Sequence, residues 1–125
     1  MAMNLRTPKA EAFEAVAKMG AIDMEFLDRV TFSDRGLARE VLQMFDQQAD
    51  SLLKVIRDTE SARMRLEIAH RLKGAARGVG AFLVAKAAEE IETASDEIEL
   101  ANAVSLLTAR VTEARLALAG LIGNA

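Results

Sequence analysis

Residues 69 to 81 read Ala-His-Arg-Leu-Lys-Gly-Ala-Ala-Arg-Gly-Val-Gly-Ala and contain the only histidine of the chain. Apolar residues in and before this stretch recur at spacings of three or four, as on one face of an amphipathic helix. The predicted stripe is Met64, Ile68, Leu72, Ala75 and Val79. Because each helical residue turns by about 100°, His70 lies about 200° from Leu72. The stretch therefore predicts a core-facing helix that carries a lone imidazole on its outer flank.

The composition of the whole chain favours an all-α fold. Apolar residues make up 51% of the 125 residues but aromatic residues only 4%, so aliphatic side chains, alanine and methionine must build the core. One proline and seven glycines are too few for the many turns of an all-β domain. A chain of 125 residues also has the length of one domain.

Start and stop signals divide the chain into helices joined by short turns. The predicted helices span about residues 23–30, 34–58, 62–78, 82–94 and 97–122. Ser33 or Asp34 can cap the second of these helices, and Asp96 followed by Glu99 resembles a capping box for the last. Since short turns place consecutive helices side by side, we expect an antiparallel up-down four-helix bundle with one or two short N-terminal helices.

Apolar spacing also predicts which faces of the two longest helices are buried. On the first long helix the predicted core residues are Leu37, Val41, Met44 or Phe45, Leu52, Val55 and Ile56. On the last helix they are Leu100, Val104, Leu107, Val111, Leu118 and Leu121.

Residues 1–21 are predicted to form an N-terminal extension, and residues 22–122 the bundle. Within the extension a short helix is expected to begin at Pro8 and to end at Gly20. Its apolar positions are Ala10, Phe13 and Ala17. The extension either lies across the bundle or frays, and disorder of about the first nine residues is an equal alternative.

Charge and residue usage exclude several functional classes. Sixteen basic and nineteen acidic residues give a net charge of −3, which provides no overall field for nucleic acid or an anionic membrane. The absence of cysteine excludes disulfides and thiolate chemistry, and with a single histidine it argues against zinc. We find no signal peptide, no membrane-spanning apolar run and no glycine-rich phosphate loop, so we expect a cytoplasmic protein that neither binds ATP nor catalyses alone.

Two residues close to the imidazole in sequence have both a functional and a structural interpretation. Gly74 costs about 1 kcal/mol relative to alanine inside a helix, so it serves either the approach of a partner to the imidazole or close helix packing. Lys73 either neutralises an anionic group bound to the ring or is a solvated cation.

The spacing of these residues resembles the signature of a known family. The matching positions are Ala69, His70, Leu72, Lys73, Gly74 and Gly80. They resemble the motif of histidine-containing phosphotransfer (HPt) domains. The resemblance implies a four-helix bundle in which His70 is phosphorylated and exchanges the phosphoryl group with an aspartate of a receiver domain. It also implies that the residue 22 positions later, Glu92, accepts a hydrogen bond from the ring. An exposed carboxylate in a glutamate-rich segment is an equal alternative for Glu92.

The expected site follows from this resemblance together with the helix-face argument. His70 is the predicted phosphoacceptor, assisted by Lys73 and Glu92. The predicted partner-binding residues are Gly74, Arg71, Arg77 and Gly80. For Arg71 and Arg77, steering an acidic partner and a plain surface role remain equal alternatives.

The expected function is that of a phosphorelay intermediate. Its partners would be the receiver domains of response regulators and of a hybrid histidine kinase, and the protein would be a monomer. It would need no cofactor, because the receiver would bring the Mg²⁺ that assists transfer. Two alternatives stay open: direct phosphorylation of His70 by a kinase domain, and a helical adaptor in which His70 is incidental.

Overall fold

The structure, a computed structural model, describes residues 20–123. Within this range the chain is all-helical and forms no strand. The five helices are α1 (Met24–Val30), α2 (Arg35–Asp58), α3 (Ala62–Val79), α4 (Phe82–Thr93) and α5 (Glu97–Gly123). The helix predicted to begin at Pro8 lies outside the described residues.

Side-chain caps fix where the long helices begin. The Asp34 carboxylate accepts a hydrogen bond from the backbone N–H of Leu37 at 3.0 Å, before α2. Asp96 accepts one from the N–H of Glu99 at 2.7 Å, before α5. Each bond satisfies an N–H that has no partner within its own helix. The predicted caps are confirmed, although the Glu99 carboxylate accepts the return bond from the N–H of Ser95 and not from that of Asp96.

The turn between α3 and α4 is closed by Gly80 and covered by α1. Gly80 has a φ of 84°, a left-handed conformation that favours glycine. Its carbonyl accepts a hydrogen bond from the N–H of Asp23 at 2.8 Å. Beside this bond the rings of Phe26 and Phe82 meet edge to face, with centroids 5.0 Å apart. These contacts hold α1 against the turn that ends α3, the helix that carries His70.

The four longer helices share one apolar core. The histidine helix α3 packs against α2 and α4, and α5 packs against the same two helices. The largest fully buried apolar side chains are Leu27, Phe45, Ile56, Leu72, Val84, Ile91, Leu107, Val111 and Leu118. Between residues 20 and 123, no helix combines the length and the apolar character that a membrane span requires.

The predicted core faces are correct in part. Of the two alternatives for one core position of α2, Phe45 is 2% exposed and Met44 is 69% exposed. Phe45 is therefore the core residue. Predicted core residues that are instead substantially exposed are Leu37, Val55, Met64 and Leu121. Core residues that the spacing missed include Leu42, Ala49, Leu53, Ala69 and Ala76. The rotation of each helix about its axis depends on its neighbours, which a single-helix pattern does not contain.

Candidate functional site

His70 stands on the outer flank of α3. Its side chain is 72% exposed, while Ala69 and Leu72 on either side of it are fully buried. The helix thus keeps its small and apolar residues in the core and leaves the imidazole in solvent. The position predicted from the helix wheel is the one that the structure has.

The imidazole faces a carboxylate on the neighbouring helix. An oxygen of Glu92, on α4, lies 3.3 Å from Nδ1 of His70, although 22 residues separate the two along the chain. When Nδ1 carries the ring proton it donates to this oxygen, which leaves Nε2 with its lone pair. The Glu92 side chain is only 26% exposed, so the alternative of a freely exposed carboxylate is wrong.

Lys73 pairs with the second oxygen of the same carboxylate. Its Nζ lies 2.7 Å from Oε1 of Glu92, and the Lys73 side chain is only 13% exposed. The hydrogen bond from Lys73 is the main cause that lowers the pKa of Glu92; the bond from His70 acts in the same direction, and desolvation opposes both. Glu92 is therefore an ionised bridge between the ring and the ammonium. The alternative of a solvated Lys73 is wrong.

Gly74 leaves an open surface one turn after His70. A Cβ built on Gly74 meets no atom within 4 Å, and the same is true of Gly78 one turn further on. The alternative in which Gly74 permits close packing of another helix is therefore wrong for the described part of the chain. The missing side chain instead gives an approaching molecule access to the helix surface beside the ring.

The two predicted partner-binding arginines are on the surface. Arg77 forms an ion pair with Glu89 of α4 at 3.2 Å, and both side chains are about half exposed. Such surface pairs contribute about 0–1 kcal/mol, so Arg77 can exchange this partner for another at little cost. Arg71, the residue after the histidine, is exposed.

Gly80 has a structural role in the turn, and its contact with a partner stays a prediction. It is buried in the turn before α4. Its added Cβ would lie 3.0 Å from the backbone oxygen of Asp23 and 3.2 Å from the ring of Phe26. The glycine of the sequence motif is thus explained by the tight packing of α1 on this turn.

Leu66 is an exposed apolar residue near His70 that was not predicted from the sequence. It lies one turn before His70 and is 44% exposed. Its spacing of four residues from the histidine, which puts both on one helix face, is the signal that could have identified it. Next to Leu66, Arg63 and Glu67 form an exposed ion pair at 3.2 Å.

Comparison with protein families identifies this arrangement. The family model described as the Hpt domain matches residues 38–121, which contain all of α3 and α4. The chain belongs to the Hpt domain family. Comparisons with curated proteins and with solved structures gave no match. Hpt domains are phosphocarrier modules of two-component signalling, so membership implies phosphotransfer and interaction with receiver domains.

Proposed function

We propose that this Hpt domain carries a phosphoryl group on Nε2 of His70, from a receiver aspartate of a hybrid sensor kinase to one of a response regulator. The single observation that carries the proposal is the contact of 3.3 Å between Nδ1 of His70 and Glu92 beneath an otherwise exposed ring. This contact engages one ring nitrogen and directs the other to a partner.

The transfer is a displacement at phosphorus. The Nε2 lone pair forms the P–N bond while the P–O bond to the receiver aspartate breaks, and the aspartate leaves as a carboxylate. No proton moves, since Nδ1 keeps its hydrogen and the ring gains the positive charge. Glu92 faces this charge, so its carboxylate stabilises the phosphorylated ring more than the free one. The reverse displacement passes the group to the next receiver.

Lys73 supports this chemistry in two ways. Its pairing with Glu92 holds the carboxylate against the ring, because the Nζ–Oε1 distance is 2.7 Å and the side chain is mostly covered. An ammonium group also has three N–H donors, so two remain for phosphoryl oxygens after one is given to Glu92. Lys73 is thus a positioning residue for Glu92 and a charge partner for the transferred group.

The surface around the ring is suited to a protein partner. Gly74 gives the receiver backbone room to come close to the imidazole, and Leu66 provides apolar contact area one turn away. Arg71 and Arg77 supply positive charge for the acidic pocket of a receiver. The receiver contributes the Mg²⁺, and this domain needs no cofactor and acts as a carrier, not as an enzyme.

We further infer the arrangement behind this surface. Short connections join the four consecutive helices α2, α3, α4 and α5. Each of these helices packs against two of the others, so that the contacts between them form a closed ring. This pattern is typical of an antiparallel up-down four-helix bundle, which we assign to residues 22–122.

Transfer from a phosphorylated receiver tests the proposal. The chain is incubated with a receiver that carries labelled aspartyl phosphate, beside a His70→Gln variant of equal thermal stability. We expect an acid-labile, base-stable label on the wild type and none on the variant; since the chain has one histidine, that label reports His70 alone. Equal labelling of both, or no labelling of the wild type, contradicts the proposal. Labelling only by a kinase domain that lacks a receiver supports the alternative route.

A further inference from the structure

The outer side of α5 is exposed to solvent yet carries almost no charge. Ile98 and Leu116 on this side are 76% and 72% exposed. The solvent side of an ordinary surface helix is charged and polar, and the exposed side of α2 fits this rule with Glu40, Lys54 and Asp58. Exposed apolar surface on an uncharged helix side is typical of a site that binds another protein.

The exposed residues on this side of α5 follow a heptad spacing. Starting from Ile98, intervals of four and three residues alternate along the helix, and every residue in the row is exposed. This repeat is the spacing of the seam along which two helices pair in a coiled coil. The row is separate from the core side of the helix, where Leu107 and Val111 are buried. After Ile98 the row, which we call the outer seam, comprises Asn102, Ser105, Ala109, Thr112, Leu116 and Ala119.

The outer seam is complementary to itself when a second copy of the chain is turned end to end. A two-fold axis midway between residues 110 and 111 brings the two seams together without placing one large side chain against another. Small residues in each facing pair allow the helix axes to approach to about 8–10 Å. The facing pairs, one residue from each copy, are Ser105 with Leu116, Ala109 with Thr112, and Asn102 with Ala119.

Charges beside the outer seam match in the same register. Arg110 and Glu113 form an ion pair at 3.0 Å on one flank of α5, and their side chains are 34% and 51% exposed. Two antiparallel helices related by a two-fold axis bring the same flank of each helix together. Glu113 of the second copy then lies level with Thr108, only about 3 Å along the axis from Arg110. Each Arg110 therefore gains a second carboxylate, and this match of size and charge favours a second copy over an unrelated protein.

We propose that two copies of this chain pair through the outer seams of α5, antiparallel about a two-fold axis between residues 110 and 111. This dimer takes the place of the monomer expected from the sequence. α3 and α5 each pack against α2 and α4, so they lie on opposite sides of the bundle. The outer seam therefore points away from His70, and the dimer keeps both of its histidine sites open to other proteins.

Sedimentation equilibrium of the full chain, from low micromolar to nearly millimolar concentration, gives the first test. We expect a reversible dimer with a Kd in the micromolar range, because a single helix face is smaller than a standard interface. Ala109→Glu places a carboxylate beside the two-fold axis, where the same carboxylate of the second copy repels it. This variant should raise Kd at least about tenfold.

The matched control for this measurement is Ser51→Glu. It puts the same charge on the exposed side of α2 and should leave Kd unchanged within about twofold. A wild type that stays monomeric over the whole concentration range overturns the proposal. A dimer that has the same Kd in the two variants also overturns it, because the outer seam then takes no part in the association.

Disulfide trapping tests the orientation of the two copies. The chain has no cysteine, so introduced cysteines are the only ones present. When Ser105→Cys and Leu116→Cys proteins of different mass are mixed under mild oxidation, the mixed disulfide should form at least about tenfold faster than the disulfide between two Ser105→Cys copies. In the antiparallel pair the two copies of residue 105 are separated along the axis by eleven residues, about 16.5 Å, which is too far for a disulfide. Equal rates of the two reactions, or a faster reaction between two Ser105→Cys copies, overturn the proposal.

Discussion

Nζ of Lys73 and Oε1 of Glu92 lie 2.7 Å apart on neighbouring helices. The pair connects the cation of the sequence motif to the carboxylate that contacts the imidazole. Lys73 and His70 therefore act on the same group, one on each oxygen of Glu92. Substitution of any one of these three residues should therefore change the contacts of the other two.

Replacement of Glu92 should separate hydrogen bonding from charge. Glu92→Gln keeps an oxygen that accepts from Nδ1–H but loses the negative charge, while Glu92→Ala loses both. Because charge-assisted hydrogen bonds are about twice as strong as neutral ones, we expect phosphotransfer to slow about tenfold in Glu92→Gln and further in Glu92→Ala. Single-turnover transfer from a labelled receiver measures both rates. Wild-type rates in both variants would show that the ring needs no partner.

A double-mutant cycle should detect the coupling of Lys73 and Glu92. We expect the rate losses of Lys73→Met and Glu92→Gln to be strongly non-additive, since each removes the same interaction. The matched control is the exposed pair Arg77 and Glu89, in which Arg77→Met and Glu89→Gln should be additive within about 0.5 kcal/mol. Equal additivity in the two cycles contradicts the assigned role of Lys73.

Gly74→Ala should stabilise the protein and impair its function. Alanine is favoured over glycine inside a helix by about 1 kcal/mol, and the added methyl group meets nothing within 4 Å. We expect a higher Tm together with at least tenfold slower phosphotransfer, since the methyl group occupies the approach to the ring. Gly120→Ala, which also lies in open space, is the control and should leave transfer unchanged. Unimpaired transfer by Gly74→Ala would exclude a close approach at this position.

The hydrogen bond from Lys73 that lowers the pKa of Glu92 also predicts a pH dependence of stability. A carboxylate whose pKa is lower in the folded state contributes stability above its unfolded value, and this contribution is lost as pH falls through the folded-state pKa. The difference in Tm between wild type and Glu92→Gln should therefore shrink as the pH falls below 4.5, the ordinary pKa of a glutamate side chain. Calorimetry across this range measures the difference. A difference in Tm that widens as the pH falls below 4.5 has the wrong sign for this ion pair.

Gly80→Ala should destabilise the fold without changing the immediate surroundings of the His70 imidazole. A left-handed residue with a Cβ costs about 1–2 kcal/mol, and here the Cβ would also lie 3.0 Å from the carbonyl oxygen of Asp23. We expect a loss of about 2 kcal/mol in the free energy of unfolding, measured with denaturant. Gly78→Ala, two residues earlier in an open helical position, should cause no loss. A neutral Gly80→Ala would show that α1 is not held on the turn.

Local signals predicted the helices and the position of the imidazole. The caps at Asp34 and Asp96 and the turn at Gly80 depend on residues a few positions apart, and such interactions are visible in the sequence. The exposure of His70 follows from its angle to Leu72 on the same helix. These features need no knowledge of the neighbouring helices.

Features that depend on two helices were harder to predict. The sequence left open whether Lys73 is solvated, because its pairing with Glu92 depends on the register of α3 against α4. The burial of Ala76 was missed for a related reason, since alanine gives no strong hydrophobic signal and the rotation of α3 is set by its neighbours.

The turn at Gly80 also restricts how the length of this chain can vary. His70 lies ten residues before Gly80 and Glu92 twelve residues after it, on two helices that meet at that turn. One residue inserted into either helical segment would shift the carboxylate by about 1.5 Å and swing it by about 100°, out of reach of Nδ1. Insertions are therefore compatible with the connections before α3 and after α4, whereas the interval between ring and carboxylate must keep its 22 residues.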